Sequence, residues 1–451
     1  MILQSLKKLY GNAVVLANLR GQTGIPYLSR EKLDALRDRR IRKMVRYAAK
    51  TVPFYQDLFQ KEGIEPRDIT SAADLAGLPL IDKEVVRRNP SLFVSRSRQG
   101  RKAIPFVTSG STNMPVEFMH DQRSLLANIA YGEREREVVR RTCGRDLKYR
   151  EVYISPRSTR AKVWDFYQKM TFIPVRPGRL LLPISGKVVD NVKEINRFHP
   201  DIIVGFGSYL EALFRTVDLL GLRIHLPKGV VCVGDAMTAE GRNFIAEKFG
   251  LTVLARYNAG EAFKIGYSCE RGTGLHIHED LCHLRIVDQS GVEVPHGVRG
   301  EVVISNLVNR GTVLLNYRLG DLASMANEPC PCGRTFRMIS ELAGRVQDII
   351  PQRDGTFIHP DSVLRVFKGR EGVVQYQIIQ HELERFELKL VTVDEDTYQR
   401  IISGILGELR GLLGESARID PRYCDELQRH KGGKFRPVIS EVRTEMFKLR
   451  S

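Results

Sequence analysis

The sequence has no uninterrupted apolar run of about 18 residues, so no membrane-spanning helix is expected. The longest apolar stretch near the start, Gly11–Leu19, is short and lacks a small-residue cleavage site, so no secretory leader is expected either. Cysteine is scarce. Seven in 451 residues, an odd number, argue against a disulfide framework and for a reducing, cytoplasmic setting. Acidic side chains are also in deficit: 53 Asp and Glu face 70 Lys and Arg, a formal net charge of +17. No RNA-recognition signature, helix-turn-helix pattern or basic stripe with regular aromatics accompanies that excess, so no nucleic acid is expected as partner. Internal repeats and low-complexity tracts are absent too.

What is present is an ordinary globular composition, 42% apolar and 27% charged, long enough for two or three domains. The charge is unevenly spread. Residues 1–50 hold 12 Lys and Arg against 3 Asp and Glu. Within them Leu33–Lys50 reads as an amphipathic helix whose charged face carries Arg37, Arg39, Arg40, Arg42 and Lys43. A solvated face is the first reading, and docking on a membrane surface or an acidic partner the second. Either way, residues 1–50 are expected to be peripheral to catalysis.

Hydrophobic periodicity gives an α/β protein. Strand-like runs at Ile104–Val107, Val116–Met119, Arg150–Ile154, Ile202–Val204, Gly229–Val233 and Leu251–Ala255 alternate with helical patterns at Ser124–Arg141, Tyr209–Leu220 and Ala239–Phe249. That alternation predicts a mostly parallel sheet. Residues 275–318 turn to β-type runs (Leu281–Val287, Gly300–Ser305, Thr312–Tyr317), a β-rich subdomain. Past Gly344-Arg345 comes a strand pair, Val373–Ile379 and Glu387–Val393, then a helix over Asp396–Leu413. A large N-terminal domain, 1–343, and a small C-terminal lid, 344–451, are expected.

Two constellations carry chemistry. Thr108-Ser109-Gly110-Ser111-Thr112 places four hydroxyls around a glycine between two strands, a loop able to wrap a phosphate chain. It is not a Walker A loop, because no Gly-Lys-Ser/Thr follows. Cys269 and His276 precede the β-rich region, and Cys330 and Cys332 follow about fifty residues on, enough for a tetrahedral zinc set. His278 rivals His276, because residues two apart on a strand share a face, and Cys282 is a weaker fifth candidate.

The hydroxyl-glycine loop resembles the phosphate-binding signature of the adenylate-forming acyl- and aryl-CoA synthetases. The resemblance continues in order. Tyr257-Asn258-Ala-Gly-Glu261 is similar to Y-G-x-T-E, and Tyr317-Arg-Leu-Gly-Asp321 to Y-R-T-G-D. Gly344-Arg345 with Asp348 is similar to the hinge motif, and Lys434 in Gly-Gly-Lys-Phe-Arg to the C-terminal catalytic lysine. Pro53-Phe-Tyr55, Leu78–Lys83, Gly207–Leu210 and Cys330–Arg334 narrow it to the phenylacetate–CoA ligase branch with its CapK-like relatives.

The resemblance implies ATP-dependent formation of an acyl-adenylate from a carboxylic acid, followed by transfer to coenzyme A. An amine or a sugar in capsule polysaccharide synthesis is the alternative acceptor. It implies Lys434 as the catalytic cation, Glu261 as the Mg²⁺ carboxylate, Asp321 and Arg345 on ribose or phosphate, and Tyr257, Asn258, Gly234 and Asp235 near the adenine. For Cys269, His276, Cys330 and Cys332 it implies a structural zinc in a β-rich part spanning about 265–340. Several positions depart from the family pattern: Asn113 and Leu319 replace a glycine and a threonine, Gly260 a threonine and Gln347 the hinge acid. Those losses leave room for a reading of another class, a binding or scaffold protein that keeps the fold without catalysis.

Overall fold

The structure, a computed structural model, describes residues 2–97, 100, 102–108, 116–144, 149–155, 157–173, 178–184, 188–345, 350–353, 357–358, 360–367, 369–428 and 435–442. For Thr108 and Arg345 the backbone alone is described. Ile104–Thr108 (β1) and Val116–His120 (β2) form an antiparallel hairpin with Thr108 opposite Val116. Ser109, Gly110, Ser111 and Thr112, expected as the phosphate loop, lie outside the described residues.

The apolar runs become parallel strands. They are Glu151–Ser155 (β3), Arg179–Pro183 (β4), Ile202–Phe206 (β5), Gly229–Val233 (β6) and Thr252–Tyr257 (β7), ordered β4-β3-β5-β6-β7. β3, β5 and β6 are buried on both faces, as covering helices require, while the edge strand β4 is mostly half-buried. One face packs on the helices Val188–Phe198, Gly207–Leu219 and Ala239–Phe249, and the other on Glu133–Cys143. The sheet continues antiparallel through Gly266–Tyr267 (β8), Leu275–Ile277 (β9), Cys282–Val287 (β10), Arg299–Asn306 (β11), Tyr317–Met325 (β12) and Met338–Arg345 (β13), ordered β7-β8-β9-β13-β12-β11-β10.

Two elements differ from the sequence reading. The helix expected over Ser124–Arg141 is two helices, Gln122–Tyr131 and Glu133–Cys143, joined at Gly132, whose N–H closes the first. The run Thr312–Tyr317 is a buried extended segment, and β12 begins only at its end, because Asn316 turns left-handed at φ 51°. Asparagine reaches that region more readily than most residues, and its amide holds the carbonyls of Leu75 and Leu78 at 2.9 and 2.7 Å.

Residues 350–441 build a separate core from Ile350, Val363, Leu388, Ile405, Leu409 and Val438. Ile350–Pro351 (β14) pairs with Phe357–Ile358 (β15), while Val373–Glu382 (β16), Arg385–Thr392 (β17), Arg418–Tyr423 (β18) and Val438–Ser440 (β19) form a sheet ordered β18-β17-β16-β19. Helix Glu395–Leu413 covers it, capped by Asp394, which accepts the Thr397 N–H at 2.8 Å.

The N-terminal helices are walls of the main unit. Ile2–Leu19 packs Val14 and Val15 on Leu126 and Ala130. Helix Arg30–Thr51 corrects the expectation of a simply solvated charged face, because several of its arginines turn inward. Arg30 reaches Glu279 at 3.0 Å and Arg40 reaches Asp280 at 3.4 Å, while Arg37 is buried among Asp34, Asp38 and Glu279. Fully buried Arg134 grips Asp280 with two nitrogens at 2.7 and 2.9 Å. Burial alone would raise the Asp280 pKa, but Arg134 and Arg40 outweigh it and hold the carboxyl well below the usual range.

Removing one partner strands the other in a dry interior. Arg134→Met is therefore expected to cost about 3 kcal/mol or more of folding stability, read as a lower urea midpoint. A midpoint within error of the parent would refute it.

Candidate active site and candidate metal centre

In an open α/β sheet, ligands gather beyond the carboxyl ends of the strands where the strand order reverses. Here the order reverses between β3 and β5, and Gly234, Asp235 and Tyr257 lie at the carboxyl ends of β6 and β7 in the same sheet. After β6, Gly234 takes φ +85°, and a Cβ there would lie 2.5 Å from the Phe206 ring. Gly207 is as tight, since its Cβ would meet the Met237 nitrogen at 2.5 Å. The two glycines let the turn after β6 press against the start of helix Gly207–Leu219.

That approach lets Asp235 cap the helix. Its carboxylate accepts the Ser208 N–H at 3.1 Å and the Ser208 hydroxyl at 2.6 Å. One oxygen also accepts the Phe435 N–H at 3.1 Å, from the C-terminal unit. The expected catalytic Lys434 lies outside the described residues, and Phe435 is its neighbour in sequence. A second polar contact between the units runs from the Gly369 N–H to Glu240 at 2.9 Å.

At the end of β7, the ring of Tyr257 sits in the core and its phenol donates to Asp321 on β12 at 2.6 Å. Asp321 faces Arg345 across the β12–β13 ladder. The Asn258 amide, oriented nitrogen inward, donates to the carbonyls of Phe263 at 2.6 Å and Tyr257 at 3.1 Å.

The loop through Glu261 is held at several points. His120 bonds the Gly260 carbonyl at 2.6 Å, Asn306 donates to the Glu261 carbonyl at 3.0 Å, and Lys264 reaches Glu135 at 2.6 Å. Phe263 takes a left-handed φ of 57°, a strained conformation for a bulky residue, and packs against His120 with tilted rings whose centroids are 4.0 Å apart. The Glu261 carboxylate is buried and takes no partner among the described residues. Since a carbonyl only accepts, the proton of His120 sits on Nε2, leaving Nδ1 a buried acceptor with no partner among the described residues.

The metal cluster is compact. Ligand atoms of Cys269, His276, Cys330 and Cys332 all lie within 4.8 Å of one another. The Cys269 and Cys330 sulfurs are 3.6 Å apart, close to the roughly 3.8 Å edge of a tetrahedron with metal–sulfur bonds of about 2.3 Å. Gly333 at φ +79° closes the turn that brings Cys330 and Cys332 to one side. Nδ1 of His276 donates to the Phe336 carbonyl at 3.3 Å, leaving Nε2 bare and 3.3 Å from the Cys332 sulfur. That tautomer is the one a metal ligand needs. His278 is turned elsewhere, between Arg134 at 3.3 Å and Glu135 at 3.4 Å, and Cys282 is buried in the main core.

Sequence reasoning missed His120, Asn306 and the group Glu135, Arg256, Lys264. Only Lys264, a lysine just past the Glu261 motif in an apolar run, carried a readable signal.

A solved 2-hydroxyisobutyryl-CoA ligase in its postadenylation state, with an acyl-AMP bound, superposes with a TM-score of 0.70 over 94% of this chain and 92% of its own, at 18% identity. The fold is that of the adenylate-forming ligases. Residues 350–441 match the CapK C-terminal domain. Among curated relatives, a phenylacetate-coenzyme A ligase of Thermus thermophilus is 26% identical over 93% of this chain and 98% of its own. Protein CapK of Staphylococcus aureus is 22% identical over 91% and 90%.

The adenylate-forming scaffold thus carries a buried titratable group of its own. Burial pushes His120 down to about 4, against the hydrogen bond to Gly260, which raises it. A free histidine titrates near 6.5, so its contribution is present above about pH 6.5 and is lost as pH falls through 4. His120→Gln should flatten the fall in folding stability between those values, measured by urea unfolding across pH. An unchanged slope would contradict this.

Proposed function

We propose that the chain activates a carboxylic acid with ATP, forming an acyl-adenylate and pyrophosphate, and passes the acyl group to coenzyme A with release of AMP. The observation that carries the reading is the meeting of the Gly234-Asp235 turn, the Tyr257–Asp321 pair and the Glu261 loop at the carboxyl edge of the parallel strands, beside the Phe435 segment. The named activities of the relatives, matched along nearly their full length, support it.

In the first step a carboxylate oxygen bonds the α-phosphorus and the bridging bond to pyrophosphate breaks. Both reactants are anionic, so positioning and charge compensation dominate. Asp321, its carboxylate aimed by the Tyr257 phenol, accepts the ribose hydroxyls, and Arg345 lies opposite. Gly234 and Asn258 would flank the adenine, as the family resemblance implies. The Thr108–Thr112 loop would cradle the phosphates, and Lys434 would place its ammonium between carboxylate and α-phosphate. Buried Glu261, which takes no partner among the described residues, fits a Mg²⁺ ligand, and bound Mg²⁺ would supply charge neutralisation on the phosphates. In the second step the thiol sulfur bonds the acyl carbon and AMP leaves.

The test is ATP–pyrophosphate exchange over a panel of carboxylic acids. Exchange with at least one acid is expected, falling by about a hundredfold or more in Lys434→Ala and weakening in Asp321→Ala chiefly through ATP affinity. No exchange with any acid, together with no ATP binding, would remove the enzyme reading and leave a scaffold. Exchange without consumption of coenzyme A would point instead to an amine or sugar acceptor.

We also propose that Cys269, His276, Cys330 and Cys332 hold zinc. Four protein ligands leave no open position, so the ion would clamp β9 to the turn before β13. Protein purified without chelator should carry about one zinc per chain, and Cys330→Ser should lose it and melt lower. Less than about half an equivalent in the parent would count against the site.

A further inference from the structure

Away from the adenylation residues, helix Arg30–Thr51, the short helix Ala72–Ala76 and β10 enclose a cavity of about 390 Å³. That volume holds many waters or a small metabolite. Alternation along β10 explains its chemistry. Cys282, Leu284 and Ile286 point into the main core, so His283 and Arg285 point the other way, into the cavity. A strand face covered by a helix is ordinarily apolar. Here it carries two strong polar groups, 5% and 7% exposed.

Neither is fully satisfied: among the described residues, both ring nitrogens of His283 and Nε of Arg285 have no hydrogen-bond partner. The one contact of the Arg285 guanidinium among the described residues is a long one, 3.5 Å to the Asn316 side chain. The other arginines at the cavity, Arg30, Arg37 and Arg337, are matched by Asp34, Asp38 and Glu279. Glu293 also lines the space, but it is exposed and makes no ion pair with Arg285. Burial pushes the Arg285 pKa down, with Glu293 opposing, and His283 is lowered by burial and by Arg337, Arg37 and Arg285. Buried donors left without acceptors destabilise a fold, so their retention calls for a ligand that supplies acceptors.

We infer that this cavity is a second binding site, built around Arg285 and His283, for a small phosphate-bearing ligand. A guanidinium fork matches the oxygens of a phosphate group. His283, neutral, can donate from one nitrogen and accept a hydroxyl hydrogen at the other. With Arg30, Arg37 and Arg337 already paired, Arg285 is the arginine at the cavity that makes no ion pair among the described residues and is left to meet an anionic oxygen. Glu261, Tyr257, Asp321 and Asp235 do not line it, so the site is separate from the adenylation site.

The test uses the full chain saturated with AMP, so that the nucleotide site is filled, with inorganic phosphate as calorimetric probe. Phosphate should bind at one site and acetate, at equal concentration, should not replace it. Arg285→Met and His283→Leu should each weaken phosphate binding at least about tenfold. Without phosphate, Arg285→Met should also melt higher than the parent, because an unpaired buried cation has gone. Tungstate soaked into crystals should give its anomalous peak beside Arg285. Absence of phosphate binding by the parent, binding unchanged in both variants, or a tungstate peak only elsewhere would overturn the inference. Should Arg285→Met fail to fold, His283→Leu and the tungstate position decide alone.

Discussion

The structure turns on a run of buried ion pairs between helix Glu133–Cys143 and the seam where the parallel half of the sheet meets the antiparallel half. Arg134 holds Asp280, which follows β9, and the adjacent Glu135 gathers Lys264, Arg256 and His278. Two neighbouring residues on one helix thus fix the loop through Glu261 from one side and the His276–His278 strand from the other. Burial would raise Glu135, but Lys264, the bond from His278 and Arg256 hold it well below the usual carboxylate range. Such a network is stable only when every member is matched. It links the loop through Glu261 to the segment that follows the His276 strand. His278 belongs to this network and not to the metal cluster for the same reason: its two ring nitrogens are already committed, one to Arg134 and one to Glu135.

Much of the fold was legible in the sequence because burial writes a simple pattern. β5 and β6, covered on both faces, are unbroken apolar runs, and Gly229–Val233 has the same bounds in sequence and structure. Helix Ala239–Phe249 was equally plain, with Thr238 capping the first turn and a glycine ending it. The misreadings came where tertiary contacts override local preference. Gly132 breaks a helix whose periodicity continues through it, and the extended run 312–316 is ended as a strand by an asparagine held from two residues far away in sequence. For the site, motif residues that are adjacent in sequence, such as Cys330 and Cys332, were readable. Residues that act through space were not: nothing local marks His120 as the partner of Gly260, or Asp235 as the link to Phe435.

The charge excess also changes meaning. In sequence the first fifty residues were a basic surface. In the structure part of that basicity is internal, because Arg30, Arg37 and Arg40 neutralise Glu279 and Asp280 beneath them. What stays outward on this segment is apolar as much as basic: Leu6, Leu9, Tyr10 and Leu16 are all more than half exposed. Among the described residues no helix is long and apolar enough to cross a membrane.

Between described residues, the polar contacts that join the small unit to the large one include two that are individually weak. The N–H of Phe435 on Asp235 and that of Gly369 on Glu240 are each worth about 1 kcal/mol net. Asp235 keeps its cap on Ser208 whether or not Phe435 is present, so letting go costs the large unit no unsatisfied buried carboxylate. A contact with that asymmetry behaves as a latch: it sets a preferred orientation without locking it. Thermal motion can release the segment next to Lys434 and leave the turn beneath it unchanged.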